Sequence, residues 1–269
     1  MTAARLLFAL GIAGYLAGTL GYLLHALRKG PRVGAAATAA TLAGFAAHTL
    51  AYLLRVAALG RLPAPSPADS LSLFAWAVVL IYLIIEFHYR NRMIGAFALP
   101  LALAAALGSA FMPEPLGSLP PPLLGHGLAI HVVLAIFGNA AFAVTSCAGL
   151  MYLLQERRLK SRHPGRIRLP SLELLDDIGV RSVLVGFPLL TLALISGSVW
   201  AEHARGSFLT LRPREVWSLV SWLIYAGLLA ARLSAGWRGR KAALLAILGF
   251  CLVLFTFVGV KILRDGSLL

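Results

Sequence analysis

The chain has 269 residues, 59% of them hydrophobic and only 13% charged, with a mean hydropathy of +0.85. That composition excludes a water-soluble globule and marks an integral membrane protein. A net charge of +14 would suggest nucleic acid in a soluble chain, but here the basic residues cluster at the ends of apolar runs, where they act as topology signals.

Eight apolar runs follow one another, near Leu6–Leu27, Gly34–Leu59, Ser70–Phe87, Ile94–Phe111, Leu128–Leu154, Val180–Trp200, Val216–Leu233 and Ala242–Ile262. Each approaches the length of about 20 residues that a hydrocarbon core demands, and Pro, Gly and Arg clusters separate them. Mixed Ala, Leu, Gly and Phe without apolar-polar alternation favours helices over barrel strands. The sequence predicts an all-α polytopic membrane protein of about eight transmembrane helices, with residues 1–269 forming one domain. A single Arg5 precedes the first run and no Ala-x-Ala pattern occurs before the next charges, which reads as a retained helix rather than a cleaved signal peptide.

Arg and Lys concentrate after runs one, three, five and seven: Arg28, Lys29 and Arg32; Arg90 and Arg92; six between Arg157 and Arg168; and Arg238, Arg240 and Lys241. By the positive-inside rule both termini face outward. Arg205, Arg212 and Arg214 lie against this trend. The proline-bearing loops 60–69 and 112–122 form stiff outer connectors. Between runs five and six, Leu169, Leu172, Leu175 and Ile178 recur at helical spacing and predict a short helix lying on the inner surface. Cys147 and Cys251 lie inside apolar runs without a Cys-x-x-Cys pair, which points to buried packing residues rather than redox chemistry.

Ionisable groups inside a membrane are costly and need an explanation. His25, His88 and His163 fall at inner ends or in an inner loop, where the headgroup region accommodates them. His48 lies well inside the second run, as a hydrogen-bonded packing residue or a ligand. His131 opens the fifth run on the outer side with His126 five residues earlier, and an imidazole there can offer a ring nitrogen to a heme iron. In the loop 198–217, Trp200, His203, Phe208 and Trp217 flank Arg205, Arg212 and Arg214. Aromatic faces suit a porphyrin and guanidinium groups its propionates, while an interfacial aromatic belt with snorkelling arginines is the ordinary alternative. Arg212-Pro213-Arg214-Glu215 also reads as a helix start.

Blocks DSLSLFAWAVVLIYLIIE, IHVVLAIFGNAAFAVTSCAGLMYLLQERRLK, LPSLELLDDIGVRSVLVGFPLLTLALISGSVWA and GWRGRKAALLAILGFCLVLFTFVGV, in that order, resemble the cytochrome c assembly family of CcsA, CcmC and HemX-type proteins. The resemblance covers about Ser70 to Val260. It implies a bacterial inner-membrane protein that binds b-type heme transiently at the outer face and presents it for cytochrome c maturation. Its implied partners are apocytochrome c, a second assembly membrane protein and the bilayer, and no nucleic acid.

Carried over by motif, His131 matches the first outer heme-ligating histidine and His48 the first intramembrane one, so these two are the expected iron ligands. His126 is a second-choice ligand or a surface residue, and His203 a substitute ligand from within the loop or a solvated residue. The pattern of the tryptophan-rich loop is kept at Trp200, Gly206, Pro213, Glu215 and Trp217, whereas Phe208, Leu211 and Arg212 replace two tryptophans and an aspartate. Ala230 stands where the second intramembrane histidine is expected, and no histidine follows the eighth run. A member so altered is expected to handle heme, or to act as a HemX-like accessory protein without carrying it, rather than to catalyse thioether formation by itself. A transporter is disfavoured, because the helices show neither a repeat nor a broken pair.

Overall fold

A computed structural model describes residues 2–28, 30–60, 66–112, 126–161, 169–208 and 212–256. They form eight helices: α1 (Thr2–Arg28), α2 (Pro31–Leu59), α3 (Pro67–Tyr89), α4 (Gly95–Phe111), α5 (His126–Ser161), α6 (Leu172–Arg205), α7 (Pro213–Ser234) and α8 (Arg240–Leu254). No strand occurs among the described residues. Six helices (α1, α2, α3, α5, α6 and α7) are long and apolar enough to cross a bilayer, while α4 has 17 residues and α8 has 15.

Local chemistry explains where the helices begin. Proline at the first position starts α2, α3 and α7, where its missing N–H costs nothing. At α3 the Ser66 hydroxyl accepts the Asp69 N–H at 3.0 Å and donates to the Asp69 carboxylate at 2.7 Å, and Arg55 of α2 pairs with that carboxylate at 2.8 Å. Pro67 and Asp69, expected in a non-helical connector, are therefore the first turn of α3. The expected separate surface helix near residues 169–178 is instead the start of α6. Ser171 caps it by accepting the Leu174 N–H, and the helix continues past Gly179 and Pro188 to Arg205. The far end of the eighth predicted run, and residues 61–65 and 113–122 of the two proline-bearing loops, lie outside the described residues.

The chain divides into two compact units, residues 1–116 with 157–170 and residues 117–156 with 171–269. In the first, α1 and α2 pack along a seam of small residues. A Cβ on Gly14 would stand 2.5 Å from Gly44 Cα, and Gly18 and Gly21 approach Thr41 and Ala37. α4 packs on α1 and α3. In the second unit α7 packs against α6 and α8, and Gly138 and Gly149 bring α5 onto the backbones of α6 and α8. Outward-facing leucines, such as Leu6 at 67% exposure and Leu10 at 60%, are what a lipid-facing surface requires.

Candidate functional site

His131 lies one and a half turns into α5, half-buried against α6. Its Nδ1 is 2.6 Å from the Ala193 carbonyl oxygen. A carbonyl can only accept, so Nδ1 carries the proton and the neutral ring presents Nε2 as a lone pair. Gly197 makes this seat possible, because a Cβ there would fall 2.7 Å from His131 Nδ1 and Cε1. The result is an oriented imidazole with a fixed tautomer whose Nε2 has no hydrogen-bond partner among the described residues, the arrangement by which metal-binding histidines are commonly held.

One α6 turn beyond Gly197, the half-buried Trp200 stands near Gly127 of α5. Further on, His203 turns its Nδ1 to the Val199 carbonyl at 2.8 Å and remains exposed in the last turn of α6. Gly206 closes the helix at φ 72°, a left-handed conformation that glycine adopts without strain. Phe208 is 60% exposed, and Arg212 and Pro213 are also exposed. Glu215 occupies the first turn of α7 and is half-buried. Trp217 turns toward α8, edge-on to Phe255 at 4.9 Å. The tryptophans thus divide, Trp200 on the α5–α6 side and Trp217 on the α7–α8 side. His126 is the first residue of α5, while its side chain and Leu211 lie outside the described residues.

His48 belongs to the first unit and is 1% exposed. Its Nδ1 lies 3.0 Å from the Tyr15 hydroxyl and its Nε2 2.9 Å from the Ser72 hydroxyl, with Phe8 packed on the ring. Both nitrogens are therefore engaged, in contrast with His131. Cys147 is buried as expected, whereas Cys251 is exposed on α8, since the small thiol is tolerated on an outward-facing apolar surface as well as within the core.

Two polar centres escaped the sequence reading. The Glu86 carboxylate, 4% exposed, accepts from Tyr22 at 2.7 Å, from Thr38 at 2.6 Å and from Tyr82, and Arg92 Nε approaches it at 3.3 Å. Its only trace in the sequence is an acid closing the run VVLIYLIIE. Likewise Asp176 receives Arg232 through both terminal nitrogens, at 3.0 and 2.5 Å, and the Gly239 N–H at 3.2 Å. That bidentate pair ties α6 to α7 and to the basic turn before α8.

The family model described as cytochrome C assembly protein matches residues 66–268. The chain belongs to the cytochrome c assembly family. His131 and the loop residues fall within the matched span, and His48 falls before it. A cytochrome c biogenesis protein CcsA of Prochlorococcus marinus (strain MIT 9301) is 36% identical over 242 residues, 81% of this chain and 78% of that protein. The CcsA of Parasynechococcus marenigrum (strain WH8102) is 34% identical over 234 residues, 77% of each chain. Among solved structures, a cytochrome c heme lyase, CcmF, superposes on 99% of the chain with a TM-score of 0.66 and 19% identity. At that identity the likeness is one of fold. The chain spans about half, 51%, of that structure. As a member of this family, the chain is a multi-pass membrane protein of the cytochrome c biogenesis type.

Proposed function

We propose that this protein binds heme transiently at the outer face of a bacterial inner membrane and presents it for cytochrome c maturation, with His131 Nε2 as the axial ligand. Residues 1–269 act as one assembly domain in this reading. The observation that carries it is the seat of His131, with Nδ1–H donated to the Ala193 carbonyl and the ring resting on Gly197. A backbone acceptor at Nδ1 raises the basicity of Nε2 and fixes the direction in which it coordinates. The residues present fit the group on chemistry, since imidazole is a usual axial donor to heme iron. Bound heme would supply the vinyl groups that thioether attachment consumes.

Further along α6 and past its end, Trp200 offers an aromatic side chain, Gly206 turns the chain out of the helix, and Phe208 and Arg212 stand exposed, of a chemistry suited to a macrocycle and its carboxylates. Pro213, Glu215 and Trp217 fix the start of α7 on the far side of the loop. His126 and His203 are the reserve ligands, and His203 offers its exposed Nε2. Single-sided ligation suits a site that must give its cargo up, to apocytochrome c together with a second assembly membrane protein. The name of the CcsA relatives, cytochrome c biogenesis proteins, supports the setting.

Purification in detergent from a heme-replete host tests the reading through the Soret band per protein. Wild type is expected to retain heme, and His131→Ala to lose most of it. No heme above background in the wild type would assign the chain to the HemX-like accessory role. His48 is the intramembrane ligand candidate, and its Nε2 coordinates only after Ser72 turns away. Ser72→Ala removes that competitor and is expected to raise heme retention in the His131→Ala background, whereas unchanged retention reduces His48 to a packing residue.

A further inference from the structure

Arg92 has no part in the proposed heme site, yet its setting is unusual for a positive-inside arginine. It follows α3 in the short connection to α4, at the end of the first unit that also carries the α1–α2 connection. Its Nε is committed inward, 3.2 Å from Thr38 Oγ1 and 3.3 Å from Glu86 Oε1. Glu86 is held in turn by Tyr22 of α1, Thr38 of α2 and Tyr82 of α3, so the guanidinium is aimed by three helices. Gly95 gives Tyr22 and Tyr82 the room to converge, since a Cβ there would lie 2.5 Å from the Tyr82 hydroxyl.

A guanidinium bound along its Nε edge still has the other edge, the parallel pair of Nη donors that matches a carboxylate or phosphate. In Arg92 those two nitrogens have no partner among the described residues, and the side chain is 37% exposed. Beside it lies His25. Both rest on Gly34, where a Cβ would be 2.9 Å from His25 Nδ1 and 3.0 Å from Arg92 Cδ. The His25 Nδ1 is taken by the Gly30 carbonyl at 3.0 Å, which leaves Nε2 open among the described residues.

Charge at this end is one-sided. Arg32 and Arg90 are exposed nearby, and the single acid among the described residues there, Glu86, is buried and saturated. The same turns expose Leu24, Leu27 and Phe87. A bidentate cation at the edge of an apolar helix surface matches an anionic head joined to an apolar body.

We propose that Arg92, aimed by Glu86 and flanked by His25, receives the oxyanion of a membrane-embedded amphiphile, a phosphate or a carboxylate. The phosphate would come from a phospholipid. The carboxylate would come from a porphyrin, and only this source rests on the heme reading.

The test uses the full chain in two arms. In the first, nanodiscs of phosphatidylcholine doped with phosphatidylglycerol measure lipid retention by native mass spectrometry. In the second, metal-free mesoporphyrin and its dimethyl ester are titrated onto the His131→Ala protein, so that neither iron ligation nor His131 contributes. Arg92→Gln is expected to weaken one of the two anions about tenfold, while Arg90→Gln changes it less than about twofold. Loss confined to phosphatidylglycerol identifies a lipid site, and loss confined to the free-acid porphyrin a propionate site. Equal losses from Arg92→Gln and Arg90→Gln would mean diffuse charge and overturn the proposal. Equal binding of mesoporphyrin and its dimethyl ester, together with phospholipid retention unaltered by Arg92→Gln, also overturns it. Should Arg92→Gln elute as an aggregate, Arg92→Lys keeps the charge without the fork, and wild-type binding by that variant is likewise fatal.

Discussion

Two histidines of the same type are held in opposite ways. His131 gives its proton to a carbonyl and keeps a lone pair, whereas His48 spends both nitrogens on the hydroxyls of Tyr15 and Ser72. The difference rests on one glycine, because α5 can place an imidazole on α6 only where α6 has no side chain. Gly197→Ala is therefore expected to displace the ring, cost about 1–3 kcal/mol of stability through overpacking, and lower heme retention. Gly127→Ala is the control, since its Cβ would meet only Trp200 Cδ1 at 3.9 Å. Thermal unfolding in detergent reads the first effect and the Soret band the second; equal behaviour of the two variants would remove Gly197 from the site.

At the scale of elements, the helices adhere through small residues and through aromatic-hydroxyl pairs, because lipid offers no hydrophobic force between apolar helices. One device occurs in both units. The Trp76 indole donates to Thr49 at 2.8 Å while stacking on Phe45, and Trp222 donates to Thr191 at 2.9 Å while stacking on Phe187. In each case the threonine hydroxyl passes its own hydrogen to the phenylalanine carbonyl four residues earlier. An indole N–H in an apolar interior is thereby satisfied without a charged group. The α1–α2 seam depends on backbone contact, with Gly44 so placed that a Cβ would meet Gly14 Cα and Gly11 O at 2.9 Å each. Gly44→Leu is expected to separate these helices and cost at least about 1–3 kcal/mol, lowering the yield of monodisperse protein. Leu42→Ala, on the exposed face of the same helix, is expected to leave the yield unchanged.

For the whole molecule, the positive-inside rule sets the expectation that the basic connections after α1, α3, α5 and α7 face the cytoplasm. Cysteines introduced near residue 2 and at residue 208 are expected to react with an impermeant maleimide in intact spheroplasts, and one at residue 236 only after lysis, in a background lacking Cys147 and Cys251. Labelling at residue 236 in intact cells would invert the topology and move the His131 site away from the compartment where cytochromes c mature. The turn at residue 236 is held by Asp176, which accepts the Gly239 N–H while paired with Arg232, so its sidedness reports on an ordered element.

Membrane class, helical architecture and the family were legible in the sequence, and His131 stands as a candidate named by motif alone. Apolar run length and charge placement are one-dimensional quantities that a bilayer reads directly. Helix limits were less legible at Pro67 and Ser171, where a cap or a first-turn proline lets a helix start before its apolar run. What required tertiary structure was partnership. The carbonyl of Ala193, the space over Gly197, the two hydroxyls on His48 and the four groups around Glu86 come from positions remote in sequence. A buried donor or acceptor is stable only with a partner, and packing between helices alone decides which partner arrives.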